Sequence, residues 1–266
     1  MARAVGRRAG EDAGGELADS LTYHAFLSLF PLLLLAASVI GFLLSRNPSA
    51  EGDWVGRLSG SVPGLGPLIA RNLRAVVDGR AGAGIVGLVG FLWTGLGLVE
   101  SGRNTLSRIL RRARGSNVVS KKLRSVAALG GLGIVALAST TATGLLAGLG
   151  GGSGLGMAVR AFGILAAAGV DAGFFLVLYR VLAPGRGPAF RELVPGAVVM
   201  TVGWTGLKLG GTWYGIRVVA KATAVYGTFG AVIGALALLS IASRLFVYGA
   251  ELDMVLVEER RARAVP

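Results

Sequence analysis

Cysteine is absent from the chain, and histidine occurs once, as His24. The first absence excludes a disulfide scaffold, a thiolate zinc site and a thiol nucleophile. A single histidine cannot build a His-rich metal centre. It also leaves His24 as the one imidazole base for a Ser-His-Asp triad, and no G-x-S-x-G elbow accompanies it. Charge is scarce too: Asp, Glu, Lys and Arg make up 15% of the residues, against about 25% in a soluble globular domain. Acid is the scarcer sign, with 14 Asp+Glu against 27 Lys+Arg and a net charge of +13. These shortages lead us to expect no enzyme, no cofactor and no metal.

What fills the space is apolar. Of 266 residues, 53% are hydrophobic and 44 are glycine, which excludes a disordered chain. A helix needs ~20 mostly apolar residues to cross a bilayer core about 30 Å thick. Six stretches qualify: Leu21–Leu44, Gly82–Val99, Leu123–Gly148, Met157–Leu182, Leu193–Trp213 and Thr228–Ala250. Backbone groups in lipid must be satisfied within the segment, so each is expected as a helix. The expected architecture is all-α and polytopic: a tail at 1–20, a six-span domain at 21–250 and a tail at 251–266. Acidic residues at Glu11, Asp12, Glu16 and Asp19 make the first segment a poor signal peptide, so the first span is expected to be retained.

Lys and Arg set the orientation. Seventeen fall in the two tails, the loop between spans two and three, and the loop between spans four and five; seven fall in the alternate loops. Both tails are therefore expected in the cytoplasm. On the opposite side, Leu65, Leu68, Ile69, Leu73, Val76 and Val77 recur at helical spacing within 45–81. That pattern predicts an amphipathic helix lying at the outer interface or capping the bundle.

Several motifs have ordinary explanations. Gly82-Ala-Gly84-Ile-Val-Gly87 fits G-x-G-x-x-G, but no strand precedes it and no acid follows about 20 residues later. It opens an apolar span, where small residues let helices approach closely. Gly144/Gly148, Gly169/Gly173, Gly206/Gly210 and Gly230/Gly234 repeat the theme at i, i+4. These faces are expected to pack within the chain; the alternative, a dimer seam, leaves a homo-oligomer open. The 101–124 loop carries eight basic residues and no acid. Positive-inside topology accounts for them; anionic lipid headgroups are the expected contact rather than nucleic acid, because aromatics and a recognition fold are missing.

Ionisable groups inside a membrane are costly and mark sites by default. Asp171 in the fourth span and Lys208 in the fifth lie ~16 Å and ~22 Å from the cytoplasmic ends. They are expected to pair, either as a purely structural bridge or as a site for a polar headgroup, proton or ion. Arg244 is placed to snorkel to the cytoplasmic edge, where Glu251 and Asp253 lie.

The order of motifs resembles the YihY/BrkB family of bacterial inner-membrane proteins. The resemblance is carried by Tyr23-His-Ala-Phe-Leu-Ser28-Leu-Phe30-Pro31, Leu92-Trp93, Asn104, Tyr179-Arg180 with Pro184, Pro195-Gly196-Ala197, Trp204, Tyr226-Gly227-x-x-Gly230 and Gly249-Ala250-Glu251. His24 departs from it, standing where the family often has another aromatic. The resemblance implies a six-helix, multi-pass inner-membrane protein that works among membrane lipids. It also implies links to serum resistance and envelope-lipid transport. A ribonuclease label travels with the family, but these residues offer no metal ligands or general-base pair for it. Two readings follow: a transporter or envelope-lipid translocation component, or a non-transporting scaffold that binds envelope or division proteins.

Overall fold

The computed structural model describes residues 2–45, 80–111, 156–183, 189–214 and 228–263. These form α1 (Ala2–Glu11), α2 (Gly14–Ser45), α3 (Arg80–Ile109), α4 (Gly156–Leu182), α5 (Phe190–Tyr214) and α6 (Thr228–Arg263), with no strand among them. Among the described residues, four stretches are long and apolar enough to cross a membrane: Gly14–Ala36, Gly84–Ile109, Leu165–Leu182 and Val232–Arg260. α5 is 25 residues long, but Lys208 interrupts its apolar run. The third expected span, most of the outer amphipathic segment, the basic residues from 112 to 124, and Tyr226-Gly227 lie outside the described residues.

The apolar side chains on these helices are largely uncovered. Between 22% and 28% of each spanning stretch is buried. Trp93 is 83% exposed, and Ile85, Val86, Leu165, Phe162 and Phe229 are also open. So much outward apolar surface fits lipid as the solvent rather than water.

The described helices overrun the expected boundaries. α3 continues to Ile109, so 101–109 is helix rather than loop; Leu106 and Ile109 are buried on it, and Thr105 Oγ1 donates to the Ser101 carbonyl at 2.9 Å. α6 continues to Arg263, thirteen residues past Ala250, and buries Glu251, Asp253, Val255 and Val257. The segment expected as a first tail is also helical. α1 ends in a turn at Asp12-Ala13, and α2 then begins at Gly14. In each case polar side chains that read as loop or tail have partners, which offsets the cost of holding them in a helix.

Two compact units divide the chain: residues Met1–Leu21, Val99–Lys208 and Ser240–Pro266, and residues Thr22–Leu98 and Leu209–Leu239. In the second unit α2 and α3 meet along a glycine row. A Cβ on Gly87 would overlap the Leu35 backbone nitrogen, and one on Gly84 would meet Ser38 Oγ. Gly90 faces the Pro31 ring, and Gly97 leaves room for the His24 imidazole. α2 runs through Pro31 without ending. In the first unit α4 presents one buried stripe at every fourth residue: Ala167, Asp171, Phe175 and Tyr179. The i, i+4 repeat puts these side chains on one face of the helix.

Candidate functional site: a polar seam along α4

The stripe on α4 is answered step for step by α5. Lys208 Nζ donates to Asp171 Oδ2 at 2.5 Å. One turn along, Phe175 packs edge-on against Trp204, with ring centroids 6.1 Å apart. Each move of four residues forward on α4 corresponds to four residues back on α5, so the two helices run antiparallel in register. Asp171 keeps 4% of its side-chain surface and Lys208 keeps 30%. The Asp171 side chain is therefore sealed, while part of the Lys208 side chain reaches the surface of the helix pair.

Further along, three elements converge. Tyr179 is 1% exposed, stacks on Phe246 and donates its hydroxyl to the Phe246 carbonyl at 2.8 Å. Beside it α5 and α6 touch backbone to backbone. A Cβ on Gly196 would overlap the Gly249 carbonyl oxygen and the Asp253 carboxylate, and one on Gly249 would meet the Tyr179 hydroxyl. Glycine is required at both positions by this approach. The Gly196 N–H donates to Asp253 Oδ1 at 2.6 Å, while Asp253 Oδ2 is buried without a hydrogen bond.

Next to this crossing lies a charged cluster. Arg8 of α1 is 7% exposed and Glu251 of α6 is fully buried. Arg8 Nε stands 3.0 Å from Glu251 Oε2 and 3.7 Å from Asp12 Oδ2, and Nη1 donates to Glu258. Arg111, just past α3, reaches Asp12 at 4.0 Å.

Of the residues singled out from sequence, Asp171 with Lys208, and Tyr179 with Gly196 and Gly249, are brought together. Trp204 joins the first group, and Glu251 is in the Arg8 cluster. Arg244 is exposed on α6. Arg180 lies over the Phe190 ring, 5.7 Å from its centroid. Pro195 is half-buried in the first turns of α5, and Asn104 is half-buried on α3. Tyr23 is 59% exposed and edge-on to His24, and Ser28 Oγ donates to the His24 carbonyl at 2.8 Å. Ser28 and Pro31 thus help shape α2. Sequence reasoning missed Arg8, which had counted only as one positive charge in a tail. The readable signal was its spacing: Arg8 and Asp12 sit at i, i+4, and Glu251 and Glu258 sit two turns apart on α6.

The family described as virulence factor BrkB matches residues 5–266. A UPF0761 membrane protein of Ralstonia nicotianae is 30% identical over 236 residues, covering 85% of this chain and 51% of that protein. The inner membrane protein YhjD of Escherichia coli K12 is 27% identical over 85 residues, 31% of this chain and 25% of that one. An uncharacterised protein of Dickeya dadantii is 27% identical over 104 residues, 38% of this chain and 32% of its own length. The matched chain thus spans from a quarter to about half the length of these relatives. No solved structure matches. With the family match running over nearly the whole chain and the apolar helices facing outward, this protein belongs to the BrkB family and is a multi-pass bacterial inner-membrane protein.

Proposed function

We propose that the protein is a transporter or envelope-lipid translocation component, and that the Asp171–Lys208 pair is its polar site. The observation that carries this reading is the Lys208–Asp171 ion pair, with the Asp171 side chain 4% exposed and the Lys208 side chain 30% exposed, both on helices of a membrane protein. A pair kept in hydrocarbon at a cost of several kcal/mol is a functional-site candidate. A cation paired with a carboxylate at this position suits an anionic or zwitterionic headgroup, which would take over part of the contact with Asp171. Catalytic chemistry plays no part in this reading.

The same reading places six spans in the membrane, with the first and last helices' outer ends in the cytoplasm. Contacts within the first unit support it. Arg8 meets Glu258, so the ends of α1 and α6 lie on one side. The Gly102 position packs against Leu182, near the C-terminal ends of α3 and α4. Two membrane-crossing helices whose C-terminal ends lie together run parallel. The chain between them must then cross an odd number of times, and the apolar run Leu123–Gly148 is long enough to do so once.

Flux of fluorescent phospholipid and of small solutes in proteoliposomes of the purified protein tests the function. Flux by the unaltered chain and its loss in a folded Asp171→Asn, Lys208→Met double variant are the expected results. Absence of flux from the folded, unaltered chain would overturn the reading and leave the scaffold role.

A further inference from the structure

Asp253 lies outside the Asp171–Lys208 site, and its surroundings suit a neutral acid. The residue is 2% exposed. Oδ1 accepts the Gly196 N–H at 2.6 Å, and Oδ2 is buried without a hydrogen bond. Among the described residues no cation answers it. Arg8 and Arg111 form their ion pairs with Asp12, Glu251 and Glu258, and no ion pair reaches Asp253. Glu251, two residues earlier on α6, is turned to Arg8. An ionised carboxylate taken out of water costs far more than one N–H returns, and such a group takes up a proton instead.

The neighbours of Oδ2 are oxygens. A Cβ on Gly196 would collide with both Asp253 Oδ2 and the Gly249 carbonyl oxygen, so these two lie side by side. A Cβ on Gly249 would meet the Tyr179 hydroxyl, which brings a third oxygen close. Tyr179 has no proton to spare, because its hydroxyl donates to the Phe246 carbonyl at 2.8 Å. A charge on Oδ2 would therefore face other electron-rich oxygens, whereas a proton on it would find an acceptor in Gly249, one turn back on α6. The same i to i−4 bond is made in this molecule by Ser28, Thr94, Thr105 and Thr201, at 2.7 to 3.0 Å. A metal ion has no room there. The space that both oxygens border is the Cβ position of Gly196, one bond length from its Cα.

We propose that Asp253 is a proton-binding site at the α5–α6 crossing: Oδ2 carries a proton at neutral pH and donates it to the Gly249 carbonyl. The acid then serves both helices at once, accepting from Gly196 of α5 through Oδ1 and donating to its own preceding turn through Oδ2. Loss of the proton would set a bare charge against the Gly249 and Tyr179 oxygens, so proton release opposes this crossing. The inference stands on the crossing's geometry and holds whether or not the protein carries lipid.

The test uses the full chain, purified in detergent at neutral pH. Subtracting the infrared spectrum of Asp253→Asn from that of the unaltered chain should leave the carbonyl stretch of a protonated carboxylic acid, and this band should shift in deuterium oxide. Asn keeps an acceptor for the Gly196 N–H and offers its own N–H to the Gly249 carbonyl. The variant should therefore fold and melt within about 4 °C of the unaltered chain, a small change for a chain of this length. Sodium chloride and choline chloride at equal ionic strength should give the same melt for both. Ionised-carboxylate bands in place of the acid band would overturn the proposal. So would an Asp253→Asn chain that fails to fold, or one that melts far above the unaltered chain, because relief of that size marks a buried charge removed. A melt raised by sodium in the unaltered chain but not in Asp253→Asn would assign a metal ion in place of the proton and overturn it as well.

Discussion

Tyr179 and Asp171 sit on the same face of one helix, yet their side chains meet opposite demands. Tyr179 fills space and spends its hydroxyl on a backbone carbonyl, whereas Asp171 carries a charge that must be matched. Asp171→Asn should therefore cost about 2 kcal/mol, below the about 3–5 of a fully buried pair, because Lys208 keeps 30% of its surface open. Adding Lys208→Met should recover most of that loss, as a thermal melt in detergent can show; simple addition of the two single effects would mean no coupling. At the neighbouring crossing the demand is steric. Gly249→Ala should cost about 1–3 kcal/mol from overpacking, and Tyr179→Phe should relieve part of it, since the hydroxyl is the atom the new Cβ meets. A double variant no better than Gly249→Ala alone in the same melt would place the strain elsewhere. Asp171 and Lys208 stood out in the sequence because each interrupts an apolar run. Arg8 did not, because an arginine in a polar segment looks the same whether solvated or clasped by carboxylates from residues some 250 positions away. That knowledge comes only with tertiary structure.

Elements show the same division between what repeats reveal and what partners decide. Glycines at i, i+4 recur on α4 and α5, and helix packing was the natural expectation. A Cβ at Gly169, Gly173, Gly206 or Gly210 would nonetheless meet nothing within 4 Å among the described residues, and all four are exposed. The dense contact is instead on α3, where Gly84 and Gly87 let α2 approach. Identical spacing marks a smooth helix face but not what lies against it. Gly87→Leu should force α2 and α3 apart and lower the yield of folded protein on gel filtration. Gly169→Ala should leave stability unchanged or raise it by up to about 1 kcal/mol, since alanine is the better helix former. Equal tolerance of both would mean that α2 and α3 are not packed as described. Gly230 and Gly234 are both buried on α6 and belong with Gly87 in this ordering. Helix ends were harder to read than helix centres. The residues after Val99 and Ala250 are polar, but Leu106, Ile109, Val255 and Val257 keep the helical pattern going and are buried.

For the molecule as a whole, the decisive quantity is which side of the membrane each helix end occupies. Two independent lines bear on the proposed assignment. Lys and Arg fall seventeen to seven in favour of the tails and the loops that share their side. In the first unit, Arg8 holds α1 to the last turns of α6, and the C-terminal ends of α3 and α4 pack together. If α3 and α4 are parallel, the chain must recross between them, and residues near Gly152 must lie across the membrane from residues near Arg111. A paired reporter, alkaline phosphatase against a fluorescent protein, separates the possibilities. Fusions after Gly152 should be active as phosphatase and dark, while fusions after Arg111 and after Pro266 should be fluorescent and inactive. A Gly152 fusion that reads cytoplasmic would remove the intervening crossing and make α3 and α4 antiparallel. That outcome would contradict the Gly102–Leu182 contact. A Pro266 fusion that reads periplasmic would put Glu258 on the far side from the basic loops and break the Arg8 cluster with it, because α1 and the end of α6 cannot meet across a bilayer core about 30 Å thick.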